Sequence, residues 1–275
     1  MEKGQLKFII VGHVDHGKST LIGRLLYDTD SLPADKVEEI RRISKDLGTE
    51  TEFAYLLDHL EEERRQNVTI DITQVFLKSA GSEYVIIDAP GHVEFVKNMI
   101  TGASQAEAAV LIIDAKEGLR EQTKRHSYIL SLLGIDQVIV VVNKMDLMAY
   151  DKEAFERTKK ETNAHLRDIG ITALFYIPIS ALKGENIVIR SEAMPWYTGP
   201  SFLESLGTLS LRRSPIDKPL LFPIQDVYKI GDKRIAVGKI EAGVIKKDEM
   251  IKILPHNQLT KVSSIEKFPC QADRA

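Results

Sequence analysis

The stretch Gly12-His13-Val14-Asp15-His16-Gly17-Lys18-Ser19-Thr20 follows the apolar run "LKFIIV" and precedes "LIGRLLYDT", whose leucines recur at helical spacing. A strand, then G-x-x-x-x-G-K-[ST], then a helix is the pattern of a phosphate-binding loop, and it constrains the fold more than any other stretch of the chain. Gly12 and Gly17 permit backbone conformations and close approaches that a Cβ obstructs, so successive N–H groups converge on phosphate oxygens. Lys18 brings positive charge to the β and γ phosphates, Ser19 offers a hydroxyl to Mg²⁺, and the helix directs its positive end at the anion. His13 and His16 form an H-x-x-H pair, but both lie inside a loop committed to phosphate, so a histidine metal site is not expected.

The rest of the first 209 residues fits this start. The runs "ITQVFL", "EYVIID", "AAVLIID", "QVIVVVN" and "ALFYIPIS" alternate with helical patterns, which predicts an α/β domain with a mostly parallel sheet covered on both faces. Ligands of such sheets bind beyond the carboxyl ends of the strands. Residues 29–70 form a polar insertion with two helix-like patterns, expected to act as a mobile lid. We expect a nucleotide-binding domain over residues 1–209, a charged, proline-bearing linker over 210–218, and a small β-barrel domain over 219–275. The ending "FPCQADRA" has no closing element, so the barrel is expected to be incomplete.

At 275 residues with net charge −3, the chain offers no compositional argument for nucleic acid or an acidic membrane. A single cysteine, Cys270, cannot form an intramolecular disulfide. The amino terminus lacks a signal-peptide pattern and no run reaches membrane length, so a cytoplasmic location without membrane partners is expected.

Further motifs stand at the predicted strand ends. Asp88 closes "YVIID" and is placed to hold the Mg²⁺ shell; Gly91 can present an N–H to the γ-phosphate, and His92 can orient the attacking water. In "VVVNKMDL", the Asp146 carboxylate can accept two hydrogen bonds from guanine N1 and N2, a pair that adenine cannot offer. Asn143 can bridge the base and the phosphate loop, and the Lys144 stem can cover the ring. In "PISAL", Ser180, Ala181 and Leu182 follow the last strand, where a backbone N–H can meet guanine O6. Thr69, at the end of the insertion, offers a hydroxyl to Mg²⁺ when γ-phosphate is present, the order–disorder switch of GTPases. GTP or GDP with Mg²⁺ held by Ser19, Thr69 and Asp88 is therefore the expected cofactor set. An ATP-dependent kinase leaves Asp146 without a role.

With "GHVDHGKST", "DAPGHVEFVKNMITGASQAEAAVLIIDA", "NKMD" and "SAL" in place, the chain resembles a translation-factor-class GTPase, and its tail resembles the start of those factors' second barrel. The resemblance implies a P-loop GTPase domain with His92 as the catalytic histidine. Within the class, "GKSTLIGRLLYDT", "EGLREQTKRHSYILSLLGI" and "SEAMPWYTGPSFLESL" look most like the large GTP-binding subunit of bacterial sulfate adenylyltransferase. That family couples GTP hydrolysis to formation of adenylylsulfate on a small catalytic subunit, the partner this resemblance implies. The alternative is an elongation-factor-like carrier of aminoacyl-tRNA acting on the ribosome, since elongation factor 1-alpha also carries an M-P-W segment. Two departures from the sulfate-activating pattern stand out: Asp15-His16-Gly17 replaces Asp-Asp-Gly, and Asn67 replaces the glycine before the switch threonine. Asn tolerates positive φ better than most residues, so Asn67 can preserve the turn.

Overall fold

The structure is a computed structural model that describes residues 5–32, 37–38, 73–79, 82–88, 96–211, 218–231, 233–267 and 270–274. The two helix-like patterns of the insertion, Asn67, Thr69, Gly91 and His92 lie outside these residues, apart from residues 37–38 of the first pattern. The chain divides into two compact units, Met1–Leu211 and Arg212–Ala275.

In the first unit, β1 (Leu6–Gly12), β3 (Ser82–Asp88), β4 (Ala108–Asp114), β5 (Val138–Asn143) and β6 (Ala173–Pro178) run parallel, and β2 (Thr73–Ser79) is antiparallel to β3. Together they form a six-stranded sheet in the order β2-β3-β1-β4-β5-β6. Only two residues separate β2 from β3, too few for the crossover that a parallel pair needs, so these strands join as a hairpin at the sheet edge. The apolar runs alternate between faces. Phe8 and Ile10 of β1 meet Leu21 and Leu25 of α1 (Lys18–Asp28) and Phe202 of α5 (Phe202–Leu206) on one side. Ile9 and Val11 meet Met99 of α2 (Val96–Ala103), Leu130 of α3 (Glu121–Leu132) and Leu166 of α4 (Lys152–Asp168) on the other. Both faces of β4 and β5 are thus covered and all their residues are buried, which explains runs that are apolar without alternation.

Among the described residues, two helix starts are capped by side chains. Asp151 accepts from the N–H groups of Glu153 and Ala154 at 3.3 and 3.0 Å ahead of α4. Ser201 and Glu204 form a reciprocal capping box at α5. The start of α1 has no such side-chain cap: its flanking residue is Gly17, at φ 91°, which leaves the first N–H groups of the helix available to a ligand.

The second unit is built of antiparallel pairs: β7 (Ile224–Ile230) with β8 (Lys233–Gly238), β9 (Met250–Ile253) with β10 (Gln258–Lys261), and β11 (Ile265–Lys267) with β12 (Cys270–Ala272). Bridges Leu221–Ala242 and Lys246–Arg274 join segments between them. Every residue of β7 is exposed. Among the described residues, no helix is long and apolar enough to cross a membrane.

Candidate nucleotide site

The parallel register brings the carboxyl ends of the strands together. Ile10 pairs with Asp88, Gly12 with Ile112, Asp114 with Asn143, and Val142 with Pro178. The motifs that follow these strands therefore converge, although they are scattered through the sequence.

The glycines of the loop have distinct reasons. A Cβ on Gly12 would lie 2.5 Å from the Ile112 carbonyl oxygen, because β4 passes directly beside it. Gly17 is left-handed, and a Cβ there would strike the Asn143 amide. Between them Val14 and Asp15 make the turn, Asp15 at φ 62°. Lys18 folds back over the loop, its Nζ donating to the Gly12 and His13 carbonyls at 3.2 and 3.0 Å. Burial lowers the pKa of this ammonium, and the charges of Asp88 and Asp15 oppose that fall without cancelling it. Lys18 thus lies within electrostatic reach of the carboxylate that ends β3. Ser19 and Thr20 follow in the first turn of α1. Ser19 and Asp88 supply a hydroxyl and a carboxylate, the hard oxygen donors that suit Mg²⁺, so the described part of the donor set fits that ion.

Asn143 joins two of the motifs. Its Nδ2 donates to the His16 carbonyl at 2.9 Å, and its Oδ1 accepts from the Ala181 N–H at 2.9 Å. One buried amide thus fastens the phosphate loop to the S-A-L turn with both of its ends. Ser180 Oγ donates to Asp146 Oδ1 at 2.6 Å while accepting from the Lys183 N–H at 3.2 Å, which orients the hydroxyl hydrogen towards the carboxylate. From α1, Arg24 Nη1 donates to the Leu182 carbonyl at 3.3 Å and Arg24 Nε to Asp28 at 2.7 Å. Leu182 therefore enters through its backbone, and its side chain faces outward.

Some of the contacts at the site cannot be read from the motifs. Lys144, left-handed at φ 62°, pairs its Nζ with Asp114 Oδ2 at 2.8 Å. Burial pushes the Asp114 carboxyl up, but hydrogen bonds from Lys144 and from the N–H groups of Lys116 and Glu117 outweigh it and hold the pKa below the ordinary value. The sequence does carry a signal for Asp114, a carboxylate closing a fully apolar strand, but only the β4–β5 register shows its partner. His16 is fully buried with Nδ1 3.3 Å from the Ile112 carbonyl oxygen, and its ring packs edge-on to His13 at 5.2 Å. Its Nε2 lies 3.5 Å from Glu117, an ion pair by distance alone. Burial is the larger influence and lowers the His16 pKa, so the contact is between a neutral ring and a carboxylate.

His126 of α3 is a second buried histidine beside the loop. Burial, followed by the charges of Lys18 and His13, pushes its pKa down to about 4, against a hydrogen bond with the Gly12 backbone that raises it. The unfolded chain therefore takes up a proton that the folded chain refuses. Stability contributed by neutral His126 is full above pH 6.5 and is lost as pH falls towards about 4, by on the order of 3 kcal/mol. Urea denaturation at pH 7 and pH 4.5 should show this loss, and His126→Gln should flatten the dependence; an unchanged slope in the variant would assign it to other groups.

A glycine loop between β1 and α1, set among the converging strand ends, defines the first unit as a P-loop nucleotide-binding domain of α/β architecture. The family model described as "Elongation factor Tu GTP binding domain" matches residues 3–228. The chain belongs to this family. It is 43% identical over 269 residues to elongation factor 1-alpha of Methanosphaerula palustris, covering 96% of this chain and 63% of that one. With elongation factor 1-alpha of Pyrococcus abyssi it shares 45% identity over 251 residues, 91% of this chain and 58% of that one. The chain thus spans about three fifths of the length of these relatives. Among solved structures, sup35 complexed with GDP superposes with a TM-score of 0.55 at 27% identity, covering 99% of this chain and 61% of that chain. Elongation factor SelB from Methanococcus maripaludis, in complex with the GTP analogue GppNHp, gives 0.52 at 25% identity, covering 100% of this chain and 50% of that chain.

These relatives correct one expectation. The resemblance to the sulfate-activating subunit, with its small catalytic partner, gives way to elongation factor 1-alpha, which matches over nine tenths of the chain or more. The M-P-W segment, one of the stretches behind the sulfate resemblance, serves packing. Met194 is buried, and Trp196 and Tyr197 stack around Phe155. Such a cluster stabilises α4 whatever reaction the domain is coupled to.

Proposed function

We propose that this chain is the nucleotide-switch portion of an elongation-factor-like translational GTPase that carries aminoacyl-tRNA to the ribosome, with GTP promoting and GDP releasing the RNA. The reading is carried by the 43–45% identity to elongation factor 1-alpha across most of the chain. In it, residues 1–209 are the GTP-binding domain, 210–218 a linker and 219–275 the start of a β-barrel.

The N–H groups of residues 13–20 hold the phosphates, and Lys18 leaves the carbonyls of Gly12 and His13 to reach the β and γ oxygens. Asp146 reads guanine N1 and N2, a backbone N–H of the Ser180–Leu182 turn meets O6, and the Lys144 stem covers the ring while its ammonium stays on Asp114. Ser19, Thr69 and Asp88 would hold Mg²⁺, which would supply positive charge to the phosphates when bound. His92 orients the attacking water once Gly91 and Thr69 have closed on the γ-phosphate. The complexes of sup35 with GDP and GMPPNP support nucleotide binding by this fold.

Filter binding of aminoacyl-tRNA to the chain, loaded with a non-hydrolysable GTP analogue or with GDP, tests the carrier role. Retention is expected with the analogue and much less with GDP; equal retention in both states contradicts it.

A further inference from the structure

The base-reading segment contains three left-handed residues that are not glycine: Lys144 at φ 62°, Ala149 at φ 49° and Tyr150 at φ 58°. Residues other than glycine and asparagine rarely adopt this conformation, so surrounding contacts must hold it. Lys144 is held by Asp114. Ala149 and Tyr150 close the 3₁₀ turn Met145–Met148, and their N–H groups donate to the Asp146 and Met145 carbonyls at 3.2 and 2.9 Å. The turn is therefore one hydrogen bond away from the residue whose carboxylate is to read the base.

Trp196 reaches this turn from a segment beyond the S-A-L loop, its indole Nε1 donating to the Tyr150 carbonyl at 3.0 Å. The indole is anchored on its other side by Phe155 of α4, with ring centroids 5.4 Å apart. Helix α4 begins at the Asp151 cap, immediately after Tyr150, so the clamp and the helix start hold the turn from two directions. At the opposite end of the 3₁₀ turn, the Met145 N–H donates to the Ile179 carbonyl at 3.1 Å, and Ser180 holds the Asp146 carboxylate itself.

Building on the guanine reading above, we propose that Trp196 is a positioning residue for base selectivity: its N–H fixes the left-handed Ala149–Tyr150 turn and, through it, the orientation of Asp146. Phosphate binding, which depends on the loop at residues 12–20, does not pass through this clamp.

Calorimetric titration of the whole chain with GDP, ADP and inorganic pyrophosphate tests this. Trp196→Phe keeps a ring against Phe155 but removes the N–H, and should weaken GDP binding about fivefold, the effect of one neutral hydrogen bond. Pyrophosphate affinity should not change. Adding Ala149→Gly, which adopts positive φ without steric cost, should recover most of the GDP affinity. Unchanged GDP affinity in Trp196→Phe, an equal loss for GDP and pyrophosphate, or no recovery by Ala149→Gly would each overturn the positioning role. An unmodified chain that binds GDP and ADP alike would overturn the guanine reading on which it rests; selective binding by the unmodified chain keeps the two conclusions separable.

Discussion

Asp146→Asn should weaken GTP binding by roughly 10⁴-fold, because a site built to hydrogen-bond a polar edge rejects a mismatched edge on that scale. The local geometry makes the direction definite. Ser180 accepts from the Lys183 N–H and so donates to Oδ1 of residue 146, which keeps an oxygen at that position when the carboxylate becomes an amide. The new NH₂ group then occupies the other position, where two acceptors for guanine N1–H and N2–H₂ are no longer available. Xanthine carries an oxygen at position 2, which the amide can donate to, so XTP should become the preferred triphosphate. Competition of GTP and XTP against labelled GDP measures both changes. A variant that keeps its guanine preference would remove Asp146 from base recognition.

The second large effect concerns hydrolysis. A histidine positioned on the attacking water contributes on the order of 10² to 10⁴ in rate, so His92→Ala should reduce partner-stimulated GTP hydrolysis within that range. The lost interaction belongs to the transition state, and GTP affinity should stay nearly constant. Phosphoryl transfer depends on positioning and charge more than on covalent chemistry, so the free chain is expected to hydrolyse GTP slowly and to be accelerated when ribosomes fix the switch region. Single-turnover phosphate release with and without ribosomes separates binding from chemistry; full stimulation of the variant would exclude the histidine from the mechanism.

The phosphate loop, the strand order of motifs and the α/β class were legible because each rests on local pattern. "FIIV" and "AAVLIID" are apolar without alternation because the sheet is covered on both faces, and the glycine spacing of residues 12–17 follows from contacts a Cβ would break. Pairings across the sheet were less accessible. Asp114 meets Lys144 only because β4 and β5 run in a register that sets Asp114 beside Asn143. His126 reads as an ordinary polar residue of a helix, and its position against Gly12 and Lys18 depends on how α3 packs on β1. The M-P-W segment misleads for a related reason: its residues pack, with Met194 buried and Trp196 clamping Tyr150, and packing does not distinguish one coupled reaction from another.

The central claim is that the convergence of residues 12–20, Asn143, Asp146 and Ala181 makes a guanine-nucleotide site. Equilibrium competition of unlabelled GTP and ATP against fluorescent GDP on the unmodified chain tests it most directly. GTP is expected to displace the label at concentrations orders of magnitude below those ATP requires, the gap expected when Asp146 reads N1 and N2. Displacement by ATP and GTP at the same concentration would contradict the claim.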